Sequence, residues 1–335
     1  MTGPGRPSRA IVYARLDAAV DELQHRLGGL PSTVEAKEIW DDIWVHEAHH
    51  STAIEGNTLV LRQVEELLHA GRAVGSKQLA EYMEVTGYAT AARWVYDQAL
   101  ERDEAPPAPI LSLTEIRHVH RLSMSPVWDV APRAHATDQE GPGNFRQHDI
   151  ARFSAGMTPP SHILVPPRLQ DWLDAANGVT QPSERHIMKR LGRLHVHFEQ
   201  VHPFLDGNGR VGRLLLNLLL TRLGYPPAII QKRDRERYLR ALRLGDAGNF
   251  GALGEMIARA VLDNLYRFVV PAVAGPVRLV PLAALSTETI SVVALRNAAE
   301  RGRLQAQRGT DGQWRSSRAW VDEYLASRYR RRDGP

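Results

Sequence analysis

Cysteine is absent from this chain of 335 residues. That excludes disulfide frameworks, zinc ribbons and thiol nucleophiles, so any chemistry must run on oxygen, imidazole and guanidinium groups. No apolar run reaches about 18 residues, the length a membrane helix needs. The opening stretch MTGPGRPSRA sets no apolar segment behind its arginines, so neither a membrane span nor a secretory leader is expected, and the cytoplasm is the expected location. Charge of one sign is also scarce until the end of the chain. Residues 286–335 hold ten arginines against six acidic side chains, and everything before them balances, so the net +4 belongs to the tail. A basic tail suggests an anionic partner, with nucleic acid the first candidate.

What is present in quantity is apolar residues, 43% of the chain, enough for two or three packed parts. Proline clusters at 105–109 (APPAP), 158–167 (TPPSHILVPP) and 271–281 (PAVAGPVRLVP) divide it, because none can continue a helix. Between them the pattern is helical. Ile187, Leu191, Leu194, Phe198 and Val201 line one face of a helix that stops at Pro203. VGRLLLNLLLTRLGYPP follows, apolar on every side, the pattern of a central buried helix. Strand signals are few, the best being a hairpin at 144–153 (NFRQHDIARF). The expected class is mostly α.

Between the two central helices lies HPFLDGNGRVGR, residues 202–213. Gly207 and Gly209 allow successive N–H groups to face one concavity where a helix begins, a ready anion site to which Asn208 adds an amide donor. Arg210 and Arg213 leave nearly the same helix face toward neighbouring phosphates. Asp206 suits Mg²⁺, which takes one or two carboxylates plus phosphate oxygens. His202 is the group able to accept a proton near neutral pH. GNGRVG also fits the dinucleotide-binding GxGxxG, but a helix stands where that fingerprint needs a strand. A metal cluster from His195, His197, Glu199 and His202 matches no zincin spacing, and His195 falls beside the apolar face as a core histidine would.

HPFLDGNGRVGR resembles the HxFx(D/E)GNGRxxR signature of Fic-domain proteins at every defined position, and the likeness extends over about residues 111–265 through GNFRQHDIARF and PPSHILVPPRLQDWL. The resemblance implies a Fic-type helical bundle with a small β-hairpin flap, and transfer of AMP from ATP to a Ser, Thr or Tyr hydroxyl of a target protein. In that scheme His202 is the base and Asp206 holds Mg²⁺, with Mn²⁺ as a substitute. Gly207, Asn208 and Gly209 cradle the phosphates, Arg210 and Arg213 carry their charge, Phe204 anchors the loop, and Tyr238 lines the nucleobase pocket. The flap at 144–153 pins the target by main-chain pairing.

The family's second motif, (S/T)xxxE(G/N), fits STAIEG, with Ser51, Glu55 and Gly56 on a helix near 46–57. By that likeness Glu55 opposes Arg213 and blocks productive ATP binding; alternatively the same glutamate serves removal of AMP. The tail, 284–335, resembles a winged helix-turn-helix of the excisionase type, with Arg296, Arg301, Arg303, Arg308 and Arg315 as DNA contacts. The expected order is a helical region at 1–105, a Fic core at 106–270, a linker at 271–283 and the winged unit. Other readings are transfer of a different phosphate-containing group, or a DNA-binding regulator whose core senses nucleotide. A homodimer is the default assembly.

Overall fold

The computed structural model describes residues 7–100, 109–137, 139–153, 157–179, 186–309 and 312–330. Four helices open the chain: α1 (Arg9–Arg26), α2 (Lys37–Glu55), α3 (Leu61–Ala70) and α4 (Leu79–Leu100). α2 starts well before the expected window at 46–57, because Trp40, Ile43 and Trp44 fall at helical spacing and are all buried. It stops at Gly56, whose φ of 114° lies in the left-handed region where only glycine is at ease.

α5 (Leu113–Val130) opens on a capping box in which the Ser112 hydroxyl accepts the Glu115 N–H and the Glu115 carboxylate accepts the Ser112 N–H. α6 (Val165–Asn177) and α7 (Ile187–Val201) follow, clasped where the Trp172 indole N–H donates to the Leu194 carbonyl at 2.7 Å. α8 (Asn208–Arg222) is the central helix that the leucine run implies. Every residue from Arg210 to Arg222 is buried, and α2, α4, α5 and α7 pack around it. Its one mid-helix amide is fully used: Asn217 donates to Glu47 and accepts from the Ala228 N–H, both at 2.8 Å. Glu47, buried on α2, also receives the Tyr88 hydroxyl at 2.8 Å and the Tyr96 hydroxyl. Burial pushes this carboxyl upward while the three hydrogen bonds hold it down, and together they tie α2, α4 and α8.

α9 (Arg235–Asp246) and α10 (Gly251–Asn264) close the bundle, α10 running on through a π-turn at Leu265–Val269 into α11 (Val270–Val273). Of the segment expected as a linker at 271–283, residues 275–278 are exposed, while its end is packed. Val280 and Leu282 are buried, and β1 (Val280–Pro281) is an edge strand, the place in a sheet where a proline's missing N–H does least harm. After α12 (Val292–Glu300) come β2 (Gln307–Arg308), β3 (Trp314–Ser316) and α13 (Arg318–Arg330). The sheet runs β1-β3-β2, antiparallel, with Val280 opposite Ser316 and Gln307 opposite Arg315. Its apolar cluster, with Leu285, Leu295, Leu304 and Val321, takes in Ala19 and Leu23 of α1 and Leu265 and Val269.

The hairpin expected at 144–153 does not form as strands among the described residues. The segment is irregular, with one pairing from the Phe153 N–H to the Met157 carbonyl at 2.9 Å. Its polar groups are committed elsewhere. Arg146 donates to the carbonyls of His202, His148 and Pro160, and the Gln147 N–H donates to Glu140.

Candidate functional site

The turn from α7 into α8 places the signature residues. His202 ends α7 with φ 49°, the one non-glycine residue with positive φ among the described residues, a conformation costing roughly 1 kcal/mol or more that surrounding bonds must sustain. Its N–H donates to the Phe198 carbonyl, and its carbonyl accepts from Arg146 Nε at 2.8 Å. In the ring, Nδ1–H donates to the Glu199 carbonyl, which leaves the Nε2 lone pair free. Burial lowers its pKa to about 4, so the imidazole is neutral at physiological pH.

Phe204 is buried as expected. It stacks on His120 of α5 with ring centres 3.7 Å apart. His120 has no place in the signature, yet it organises the loop: Nδ1 accepts the Gly143 N–H at 2.7 Å and Nε2 donates to the Asp206 carbonyl at 3.0 Å. Burial holds its pKa down to about 3, fixing it as a neutral donor and acceptor. Asn208 differs from expectation. Its amide accepts the Phe204 N–H and donates to the Phe204 carbonyl, so the side chain is spent on locking the loop and only its backbone faces the concavity. An amide four residues past a sharp turn reaches back to satisfy that turn's backbone before it reaches outward.

Asp206 accepts the Gly207 N–H at 2.7 Å with Oδ1 and pairs Oδ2 with Arg133 at 2.7 Å. Arg133 is largely exposed, so Oδ2 can exchange it for a cation. One partly exposed carboxylate beside an anion cradle fits Mg²⁺ bound mainly through nucleotide phosphates. Arg210 reaches Glu84 of α4 at 2.6 Å and Asp206 at 3.4 Å.

Arg213 is nearly enclosed. Its Nε donates to Ser51 Oγ at 2.7 Å, and Nη2 donates to the Ser51 carbonyl at 2.9 Å and to Glu55 Oε1 at 2.7 Å. The Glu55–Arg213 contact that the motif calls for is therefore present. A Cβ at 209 would lie 2.4 Å from Glu55 Oε1, so glycine there leaves the carboxylate its present position. Burial, the largest single influence, pulls the Arg213 pKa down, but Glu55, Tyr238 and Tyr88 together outweigh it and raise the pKa, keeping the guanidinium charged.

Tyr238 does not line an open pocket. It is buried beneath Arg213, its ring centre 5.8 Å from the guanidinium carbon, and its hydroxyl donates to His195 Nε2 at 2.7 Å. The periodicity of α9 turns it inward, and the site gains a floor rather than a base pocket. His195 is thus the satisfied core histidine its spacing implied, with Nδ1 on the Gly212 carbonyl. His197 lies edge-on to Phe250, and no metal-binding group of three or more His, Cys, Asp or Glu exists among the described residues. Glu199 faces Gly212 with an unpartnered, buried Oε1, and burial pushes its pKa up to about 8 against the pull of Arg213.

In the C-terminal unit Arg296, Arg301, Arg303 and Arg308 are exposed. Arg315 instead forms a two-pronged pair with Glu22 of α1, at 2.7 and 2.9 Å, because the β3 register turns it toward the bundle.

Residues 110–220 match the Fic/DOC family model. The protein adenylyltransferase Fic of Drosophila willistoni is 30% identical over 220 residues, 65% of this chain and 40% of that protein. The Culex quinquefasciatus protein of the same name is 29% identical over 273 residues, 80% of this chain and 50% of that one. The chain thus spans about half, or less, of the length of these curated relatives. Among solved structures, a Fic-1 variant from C. elegans superposes with a TM-score of 0.61 at 27% identity, covering 77% of this chain and 71% of that one. A Fic domain containing signaling protein from Bacteroides thetaiotaomicron shares the fold, with a TM-score of 0.60 at 21% identity over 76% of this chain and 95% of its own. Residues 110–220 thus carry the likeness to the Fic/DOC family, and the chain shares its fold with these solved Fic structures.

Proposed function

We propose that the protein transfers AMP from ATP to a hydroxyl side chain of a target protein, and that α2 holds this activity off. The observation that carries the reading is Glu55 Oε1 at 2.7 Å from Arg213 Nη2, a carboxylate seated on the cation the signature reserves for phosphate. The name shared by the curated relatives supports adenylyl transfer.

His202 Nε2 takes the proton of the incoming Ser, Thr or Tyr hydroxyl, whose oxygen bonds to the α-phosphorus as the bond to the pyrophosphate oxygen breaks. The N-terminal turn of α8 and its two arginines offset the phosphate charge, so positioning and electrostatics supply most of the effect. Asp206 would hold Mg²⁺, which would offset phosphate charge. Irregular segment 144–153 lies against His202 through Phe153, whose ring is 4.9 Å away, and is the proposed seat of the target chain. While Glu55 holds Arg213 the γ-phosphate has no partner there, and ATP adopts an unproductive pose.

The test is labelling of protein from α-phosphate-labelled ATP. Glu55→Gly is expected to label itself or a lysate protein, and Glu55→Gly with His202→Ala to label nothing. No labelling by Glu55→Gly refutes adenylyl transfer, and label arriving from γ- rather than α-labelled ATP identifies phosphoryl transfer.

A second reading concerns the tail. The four exposed arginines of α12 and the wing supply a basic face for DNA, complementary to its phosphates. A gel shift over a salt series tests it, and the absence of a salt-sensitive band sinks it.

A further inference from the structure

Arg210 is as enclosed as Arg213, and its partner lies outside the signature. Arg210 Nη1 meets Glu84 Oε1 at 2.6 Å, with 6% and 16% of the two side chains exposed, and Arg210 Nε is buried with no partner. The other oxygen of Glu84 accepts the Asn57 amide at 2.9 Å. Asn57 stands two residues after Glu55. Its amide also donates to the Glu81 carbonyl and its Oδ1 accepts the Leu59 N–H, while the Thr58 N–H and hydroxyl both donate to Glu81 Oε2 at 2.7 Å. The turn that presents Glu55 is therefore stapled to α4 through the acid that occupies Arg210.

We propose that Glu84 is a second inhibitory carboxylate, which occupies Arg210 as Glu55 occupies Arg213, and that Asn57 makes the two act together against a nucleoside triphosphate. The identity of that anion rests on the transferase reading above. Each phosphate-binding arginine is then neutralised by one acid from the N-terminal helices, Glu55 on α2 and Glu84 on α4. A triphosphate entering the cradle must displace both acids. Exchange at Arg210 is the costlier half if Glu84 keeps its charge, because the carboxylate would stay behind with only Asn57 as partner. Burial already pushes Glu84 toward its protonated form, which eases that exchange. Once Glu84 turns away, Asn57 loses an acceptor and the Glu55 turn loosens. The two locks thus favour opening in the same step.

The experiment is calorimetric titration of the full chain with ATP, which requires no transfer. Glu84→Gln keeps the size of the side chain and an acceptor for Asn57 while removing the charge, and it is expected to tighten ATP binding roughly tenfold, and by a smaller factor beside Glu55→Gly because the two locks are coupled. Glu84→Asp, too short to span 2.6 Å to Arg210, is expected to shift affinity the same way by a smaller factor, and serves if the glutamine variant fails to fold. Asn57→Ala leaves both acids in place, and tightened binding there supports the coupling. Unchanged or weakened ATP binding by correctly folded Glu84→Gln or Glu84→Asp overturns the proposal, and unchanged binding by Asn57→Ala overturns the coupling. These outcomes stay separable from failure of the transferase reading, which shows as a Glu55→Gly protein that binds ATP and labels nothing.

Discussion

Ser51→Ala probes the closed state without touching the carboxylate or any group of the signature. Ser51 is buried at 3% exposure, and its hydroxyl is the sole acceptor of Arg213 Nε–H, at 2.7 Å. Alanine leaves that charged donor bare in a site where Arg213 Nη1 already lacks a partner. Losing a buried hydrogen bond to a charged group costs about 1.5–3 kcal/mol. The two Nη2 bonds, to the Ser51 carbonyl and Glu55, survive the change, so about 2 kcal/mol is the expected loss from the seat of the helix end. That is roughly a thirtyfold rise in the fraction of molecules with the end of α2 lifted. Initial rates of AMP incorporation at saturating ATP should rise by up to that factor and stay below those of Glu55→Gly. A thermal melt should fall by roughly 2 °C, as for a small loss in a chain of this size. Labelling that stays at the parental level while the melt falls would refute the reasoning, because the Arg213–Ser51 bond would then stabilise the fold without restraining the site.

Four further outcomes are expected. Burial lowers the pKa values of His120 and His195 to about 3 and of His202 to about 4, below the ordinary 6.5. Protons then favour the unfolded chain, so the histidines' contribution to stability is full above about pH 6.5 and falls as pH drops toward 4, which denaturant titrations of Glu199→Gln across pH 4–7 will show free of the opposing Glu199 effect. Glu199, pushed up to about 8, takes its proton preferentially in the folded state, so stability declines as pH rises from about 4.5 through 8, and Glu199→Gln should flatten that decline. Asn208→Ala removes both bonds to Phe204 and should cost about 1–3 kcal/mol in urea melts, since buried backbone groups lose their partners. Arg315→Ala should make the C-terminal unit easier to release by limited proteolysis, since the two-pronged pair with Glu22 ties the wing to α1; an unchanged cleavage pattern would show that the shared apolar cluster suffices.

The parts legible in the sequence are those with a period or a signature. The leucine run announces α8 because a helix apolar on every side has one stable place, and Glu55 could be paired with Arg213 because two motifs imply opposite charges. What stayed hidden was set by partners distant in the chain. Glu84 looks like any acid on an amphipathic helix, and only packing of α4 beside α8 brings it to Arg210. Arg133 and His120 carry no motif, and their roles come from the fold of the loop. Asn208, Tyr238 and Arg315 misled in one common way: each has a polar group that suits a ligand, and each finds a protein partner first. The expected hairpin failed for a related reason, since Arg146 and Gln147 spend their hydrogen bonds on neighbouring loops.

α2 has two careers along one helix. From Trp40 to Ala48 it is core, with Trp40, Ile43 and Ala48 wholly buried and Glu47 knotted to α4 and α8; from Ser51 on, where Thr52 and Ile54 are still buried, it also meets Arg213, and on the function proposed above that end is the restraint. A genetic lesion that deletes the helix therefore takes away a wall of the building along with the bolt on its door. Such an allele should be a loss-of-function one, the chain failing to accumulate, whereas gain of function should map to single substitutions clustered at 51–57. The distribution of activating alleles along the gene thus becomes a map of where scaffold ends and restraint begins.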